Sequence, residues 1–143
     1  MTYNPQIPEW GEKYLDNNRE NLVKYHEWLS TTGVKTGLIS PKKDQYIWDE
    51  FIVHSLYFYK LMEDLNLENK DLFDIGTGGG IPGIPISIVN KAKVTLIDNK
   101  TTRIYELQRL IKVLRLKDLH AKEKNALELL KKAKTCNNKV FTK

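Results

Sequence analysis

A glycine-rich turn between two apolar segments constrains the fold of this 143-residue chain more than any other feature. Five glycines lie within residues 74–83 (DIGTGGGIPG), after the apolar run 71–75 and before the apolar run 84–89. Glycines at a strand-to-helix turn allow positive φ and let a ligand approach the main chain. Pro82 suits the first turn of a helix, whose free N–H groups and dipole favour negative charge. The sequence therefore predicts a ligand-binding loop between a strand and a helix.

Strand and helix signals alternate after this loop. Apolar segments predict strands at 93–97, more weakly at 119–122, and at the start of a fourth strand at 139–142. Helical periodicity predicts one helix that Thr101 or Thr102 caps and another at 126–133. Such alternation with short connections indicates right-handed crossovers, so we predict an α/β fold with a parallel sheet.

The first half of the chain has helical patterns instead. Helices are predicted at about 9–30 and 44–65, separated by Gly33 and by residues 36–41 (TGLISP). We therefore divide the chain into an N-terminal helical region, 1–66, and a cofactor-binding half-domain, 67–143. His54 lies in the second helix, and no other His or Cys stands at metal-ligand spacing, so no metal site is predicted.

Composition excludes several classes of protein. With 41% hydrophobic and 29% charged residues, the chain is neither collagenous nor disordered. The single cysteine, Cys136, excludes an internal disulfide framework and fits a reducing compartment. No apolar run approaches the ~20 residues of a membrane helix, so we expect a cytoplasmic protein without membrane contact. We also expect a monomer.

Charge is distributed unevenly along the chain. Residues 1–70 hold 8 Lys/Arg against 11 Asp/Glu, a net −3, whereas residues 71–143 hold 15 against 7, a net +8. A basic half suggests a polyanionic partner such as RNA. Solvated helix faces, including the one that carries Arg103, Arg109, Lys112 and Arg115, explain the same charge equally well.

Two ligand patterns overlap in the glycine loop. Gly78, Gly80 and Gly83 satisfy G-x-G-x-x-G, and Asp98 follows Gly78 by 20 residues, as in dinucleotide-binding proteins. The loop also satisfies D-x-G-x-G-x-G from Asp74. That carboxylate repels a pyrophosphate but attracts a ligand with an amino group and a sulfonium, so the charges favour S-adenosylmethionine. A nicotinamide-dependent oxidoreductase stays open as an alternative.

The loop and its surroundings also resemble a known family. DIGTGGGIPGIPISIV, followed by VTLIDNKTTRIYELQRLIKVLRL, is similar to the RsmG (GidB) family of 16S ribosomal RNA guanine-N7 methyltransferases. The specific elements are the PGIP tail and the spacing of Asp98 to Arg103, and the upstream segments WDEFIVHSLYF and TGLIS resemble the family more weakly. The resemblance implies a Rossmann-like methyltransferase fold, S-adenosylmethionine as cofactor, and 16S ribosomal RNA or the small ribosomal subunit as partner.

The resemblance also implies site residues. In it, Gly76 and Ile81 contact the methionine and nucleoside parts of the cofactor, and Asp98 binds the ribose. The backbone of residues 125–127 frames the adenine, and Lys143 faces the active centre. The predicted cofactor-binding set is Asp74, Gly76, Thr77, Gly78, Gly80, Ile81, Asp98, Asn125, Ala126, Leu127 and Lys143. No catalytic residue is named, because guanine N7 carries an in-plane lone pair and needs no general base.

The chain departs from the family pattern at several positions. Phe51 and His54 stand where the family has His and Asp, Asn125 and Leu127 replace Arg and Glu, and Lys143 replaces Arg. A member of the family that binds cofactor or RNA without turnover therefore stays open as a second alternative. Two simpler roles also stay open, Asp98 as a helix cap and Asn125 as a turn residue.

The sequence ends at KVFTK, where the fourth strand begins. In the methyltransferase fold that the family implies, this strand lies beside the first. We expect an incomplete methyltransferase, with weakened cofactor binding, low stability and no detectable guanine methylation from these residues alone.

Overall fold

A computed structural model describes residues 5–90, 92–136 and 139–142. Four parallel strands form one sheet in the order β3-β2-β1-β4: β1 (Leu72–Ile75), β2 (Val94–Asp98), β3 (Leu119–Glu123) and β4 (Lys139–Thr142). All four lie within two residues of their predicted positions, and the α/β Rossmann-like prediction is confirmed.

The order of the strands fixes where a ligand can bind. β2 pairs with β1 and β3, and all five of its residues are buried. β4 pairs with the other side of β1, from Leu72 opposite Lys139 to Ile75 opposite Thr142, as expected for the fourth strand. β2 and β3 thus lie on one side of β1 and β4 lies on the other, so the strand order reverses at β1. In open α/β sheets, ligands bind at the carboxyl ends of the strands beside such a reversal.

The helices before the sheet differ in part from the prediction. The predicted helix at 9–30 is wrong as a single element: a 3₁₀ turn (Glu9–Gly11) and α1 (Glu12–Leu15) are separated from α2 (Arg19–Trp28). Asn17 breaks the helix because it adopts a left-handed φ of 64°. A π-helical segment, Leu29–Gly33, extends α2, and the TGLIS segment after it consists of turn and bend, as expected for the break between the two helices.

The second predicted helix is confirmed. α3 (Asp44–Tyr46), a π-helical segment (Ile47–Val53) and α4 (His54–Asp64) follow one another without a break. After β1 the helices alternate with the strands: α5 (Gly83–Val89), α6 (Thr101–Leu114) and α7 (Ala126–Cys136). Thr101 and Thr102 do not cap α6. Lys100 occupies the cap position without a side-chain bond, and the Thr101 hydroxyl donates to Glu123 instead.

The helices cover the two faces of the sheet unequally. On one face, Leu72, Val94 and Leu96 join a large core with α5, α6 and the N-terminal helices, in which Trp48 and Tyr25 are fully buried. On the other face, Ile75 and Ile97 pack with Leu129 of α7. Side chains from both halves of the chain share the large core, and the boundary at 66/67 stays a prediction.

Candidate functional site

A cleft of about 570 Å³ lies at the carboxyl ends of β1, β2 and β3. Its apolar walls come from Ile75 and Ile97, and its polar rim from Asn99, Arg103 and Lys124. Five of the predicted site residues also line it: Gly76, Asp98, Asn125, Ala126 and Leu127. The structure therefore brings together the start of the glycine loop, the acid at the tip of β2 and the start of α7.

The glycine loop leaves free space at its first two glycines, of which Gly76 lines the cleft and Gly78 does not. Gly76 and Gly78 have φ of +73° and +60°, and a Cβ built at either position would meet no heavy atom within 4 Å. The positive φ favours glycine there. The free space means that the main chain of this loop can contact a ligand directly.

Asp74 and Thr77 lie beneath the loop rather than in the cleft. Asp74 is only 1% exposed, and its Oδ2 accepts hydrogen bonds from the Thr77 hydroxyl (2.7 Å) and the Gly83 amide (3.1 Å). Both residues were predicted to bind cofactor, but neither lines the cleft. Their contacts tie the end of β1 to the loop and to the start of α5.

The amino end of α5 does not offer the free N–H groups that the sequence led us to expect. The Gly83 amide donates to Asp74, Ile84 donates to the Gly80 carbonyl, and Ile86 donates to the Pro82 carbonyl. Pro85 has no N–H to give. The expectation of free N–H groups at this helix start is therefore wrong, because the protein itself uses these donors.

Asp98 has several partners at the tip of β2. It is 4% exposed; its Oδ1 accepts from the Lys100 amide (3.0 Å) and its Oδ2 from the Gly78 amide (3.2 Å). The Nη1 of Arg103 lies 3.5 Å from the same Oδ2. Asp98 thus stabilises the amino end of α6, which agrees with the alternative that it acts as a helix cap. At the same time it lines the cleft beside Gly76 of the glycine loop.

The third wall of the cleft is the start of α7. Asn125 accepts a hydrogen bond from the Leu127 amide at 2.8 Å, which caps the helix and confirms its turn role. Leu127 is 63% exposed, so an apolar surface stands open beside the cleft. The Lys124 amide donates to the Asp98 carbonyl at 3.1 Å, which holds this wall against β2.

The remaining predicted residues lie elsewhere. Gly80 packs beside Ile84 and Leu107, and neither Gly80 nor the half-buried Ile81 lines the cleft. Lys143 lies outside the described residues. Asn99 and Lys124 line the cleft but were not predicted. Each directly follows a strand, and this position is the signal that could have identified them.

A buried tyrosine of α2 supports the glycine loop from behind. The Tyr25 hydroxyl donates to the Gly79 carbonyl at 2.7 Å, and Tyr25 is fully buried. Burial, and then the nearby Asp74 carboxylate, raise the pKa of Tyr25 well above its usual value. A Cβ on Gly79 would approach Ile39 and Leu29 to 3.2 and 3.3 Å. The N-terminal helices therefore fix the inner side of the loop, and its outer side faces the cleft.

The described residues were also searched for other kinds of site. His54 is exposed, with its Nδ1 3.8 Å from Glu50, and does not line the cleft. Within residues 5–90, 92–136 and 139–142, no group of three or more His, Cys, Asp or Glu could hold a metal ion. No helix in this part of the chain is long and apolar enough to cross a membrane.

Comparison with known proteins identifies the family. The model of the GidB family, described as rRNA small subunit methyltransferase G, matches residues 18–138. The chain belongs to this family. The expected resemblance to the RsmG (GidB) family is thereby confirmed, and the chain has the fold and family of an rRNA methyltransferase.

Individual relatives in the GidB family are longer than this chain. Ribosomal RNA small subunit methyltransferase G of Streptomyces coelicolor is 28% identical over 113 residues, which cover 78% of this chain and 46% of that protein. The protein of the same name in Mesoplasma florum is 32% identical over 112 residues, with the same two coverages. The chain thus spans a little under half the length of these relatives.

A solved structure shows the same fold. The SAH-bound crystal structure of Podospora anserina methyltransferase PaMTH1 matches with a TM-score of 0.52 at 15% identity, over 92% of this chain and 56% of that one. At this level of identity the likeness concerns the fold alone.

Proposed function

We propose that the chain binds S-adenosylmethionine in the cleft at the carboxyl ends of β1, β2 and β3 and serves methyl transfer to N7 of a guanine in 16S ribosomal RNA. One observation carries the choice of cofactor. The amino end of α5 keeps its N–H groups for Asp74, Gly80 and Pro82, whereas the Asp98 carboxylate faces the cleft.

This arrangement suits a ligand with ribose hydroxyls and no phosphate. A dinucleotide places its pyrophosphate on the free N–H groups of the helix that follows the glycine loop. Here a buried carboxylate, Asp74, already accepts from the first of these groups. A pyrophosphate would meet no free donor at this helix start and would be repelled by Asp74. The nicotinamide alternative is therefore disfavoured.

The cleft fits the parts of S-adenosylmethionine in turn. Asp98 can accept from the two ribose hydroxyls, and the exposed Leu127 offers an apolar surface for the adenine. The open main chain at Gly76 lets the methionine part approach β1. A volume of about 570 Å³ lies within the range of small-molecule sites, roughly 300–1,000 Å³.

The chemistry demands placement more than proton transfer. When bound, S-adenosylmethionine supplies an electrophilic methyl group on a positively charged sulfur. Guanine N7 already carries a lone pair at neutral pH, so no general base is required. The residues of the cleft then act by fixing geometry, because a nucleophile held in line at contact distance reacts far faster than a free one. The structure accordingly needs no acid–base pair in this cleft.

The decisive experiment compares two classes of ligand, S-adenosyl compounds and NAD. Titration calorimetry of the 143-residue chain should show binding of S-adenosylmethionine and of S-adenosylhomocysteine, and no binding of NAD. Tight NAD binding with no binding of either S-adenosyl compound would reject the proposed cofactor.

Methyl transfer is tested separately, since the chain spans under half the length of its relatives. Radiolabelled S-adenosylmethionine is incubated with small-subunit rRNA, and aniline cleavage locates any N7-methylguanosine. Methylation at N7 would support the proposed reaction, and methylation at another atom would reject it while leaving the proposed cofactor in place.

A further inference from the structure

A groove runs along the exposed side of α6, next to the cofactor cleft. It consists of two hollows of about 360 and 450 Å³ that share Thr36 and Glu106. One wall comes from residues 28–38 and the other from residues 101–113. We call this surface the α6 groove. It is separate from the cleft proposed for the cofactor, with which it shares only Arg103 among the described lining residues.

The charge of the α6 groove points to an anionic partner. Lys35, Arg103 and Arg109 are its basic lining residues, and Glu106 is the only acidic one among the described residues that line it. Arg109 lies 3.7 Å from Glu106, and its side chain is 65% exposed. Arg103 and Arg109 belong to the half of the chain with a net charge of +8, whereas Lys35 belongs to the half with a net charge of −3. Phosphates are attracted to such a surface.

An exposed aromatic ring adds a second requirement for the partner. Tyr105 is 59% exposed on the groove wall, and the Arg109 guanidinium lies 5.9 Å from the centre of its ring. Unpaired RNA bases stack on aromatic rings and on guanidinium planes, whereas the bases of a duplex are already stacked on one another. The combination therefore fits single-stranded RNA better than a duplex.

Arg103 connects the groove with the cofactor cleft, because it lines both. A carboxylate offers about four acceptor positions, and Asp98 already uses three of them for Lys100, Gly78 and Arg103. Two ribose hydroxyls need two positions, so one existing partner has to leave. Arg103 has the longest contact, at 3.5 Å, and as a side chain it can move more easily than the two amides.

We propose that the α6 groove binds a single-stranded segment of RNA, with a base on Tyr105 and phosphates on Arg103 and Arg109. The ribose of the cofactor displaces Arg103 from Asp98, and the freed guanidinium then binds an RNA phosphate. Cofactor and RNA therefore strengthen each other's binding. This proposal rests on the proposed function and names the surface that would hold its substrate.

The groove is tested by measuring, through fluorescence anisotropy, how tightly a short, fluorescein-labelled, single-stranded RNA binds to the full chain. Y105A should weaken binding at least roughly 5-fold, and Y105F should restore it, because stacking needs the ring and not the hydroxyl. R109A should reduce the slope of log affinity against log salt by about 0.7, the contribution of one phosphate contact. K93A is the matched control, since Lys93 is exposed at the amino end of β2.

Two results with the variants would overturn the groove, and a third comes from a different RNA. One is equal RNA binding by Y105A and the unmodified chain. The other is an equal loss of affinity in K93A and R109A, which would assign RNA binding to overall charge. A labelled duplex RNA that binds more tightly than the single strand would also contradict the proposal.

The role of Arg103 is tested by repeating the anisotropy titration with saturating S-adenosylmethionine. The cofactor should tighten RNA binding by about 5-fold in the unmodified chain and leave it unchanged in R103A. If calorimetry shows that S-adenosylmethionine binds while RNA affinity does not respond, the exchange at Arg103 is wrong and the proposed cofactor stands. If S-adenosylmethionine does not bind at all, the proposed function fails, and the RNA results decide the groove by themselves.

Discussion

The hydroxyl of Tyr25 donates a 2.7 Å hydrogen bond to the carbonyl of Gly79, a residue 54 positions later in the chain. Tyr25 belongs to α2 and Gly79 to the glycine loop, so this bond joins the N-terminal helices to the loop. Asp74 and Thr77 hold the same loop to β1 and α5. The loop is therefore fixed from three sides and open only towards the cleft.

The first prediction removes that hydroxyl. Y25F leaves the Gly79 carbonyl without this buried donor, so we expect the free energy of unfolding to fall by about 1–3 kcal/mol. Urea unfolding followed by circular dichroism measures the change. The control is Y57F, since Tyr57 is 44% exposed and should change stability by less than about 0.5 kcal/mol. If Y25F and Y57F have the same free energy of unfolding, the hydrogen bond from Tyr25 to Gly79 does not contribute to stability.

The second prediction concerns alkaline pH. Burial raises the pKa of Tyr25, and burial also raises those of Tyr14 and Tyr59. Above pH ~10 a tyrosine ionises in the unfolded chain, whereas these three, with raised pKa values, ionise only at higher pH in the folded one. Unfolding then releases protons, so stability is fully present below this pH and falls as pH rises.

Tyr25 provides the quantitative test of that pH dependence. The unmodified chain should lose about 1.4 kcal/mol more per pH unit above pH ~10 than Y25F does. Parallel stability curves for the two proteins between neutral and strongly alkaline pH would contradict a raised pKa at Tyr25.

The third prediction tests the support beneath the loop. T77V removes a 2.7 Å hydrogen bond to the buried Asp74 carboxylate while keeping the shape of the side chain, and should cost about 1.5–3 kcal/mol. T102V makes the same change on an exposed threonine and should cost less than about 0.5 kcal/mol. Thermal unfolding of both variants separates the two cases, and a harmless T77V would show that Asp74 does not depend on this donor.

The fourth prediction concerns Asp98 and the cofactor. D98A removes the charged acceptor proposed for the ribose, which should weaken S-adenosylmethionine by roughly 10- to 150-fold in calorimetry. D98N should lie between D98A and the unmodified chain, because it keeps one oxygen acceptor. D118N removes a negative charge at the amino end of β3 and should leave affinity unchanged. Full affinity in D98A would exclude Asp98 from the site.

Local patterns account for what the sequence could predict. The glycine cluster, the apolar strands and the acid at the tip of β2 are all signals within a few residues, and each corresponds to an element of the structure. The side to which the Asp74 side chain points could also have been predicted. Side chains alternate along a strand, and Leu72, two residues before Asp74, belongs to the large core. We instead placed Asp74 among the residues that bind the cofactor.

Contacts between distant segments could not be predicted in this way. The bond from Tyr25 to Gly79 and the groove between residues 28–38 and α6 depend on how two halves of the chain pack. The internal use of the α5 amides likewise depends on Asp74 pointing towards the helix layer. The break at Asn17 overrides a helical pattern that continues on both sides of it.

The position of Asp98 at the end of β2 determines how the site would respond to local opening. β2 is buried throughout and paired on both sides, so its amides should exchange with solvent only when the whole fold opens. The facing wall, residues 125–127, is exposed and starts a helix, so it can open on its own. The carboxylate proposed as the ribose acceptor is thus held in place by β2, and we expect a bound ligand to slow hydrogen exchange mainly at the first turn of α7.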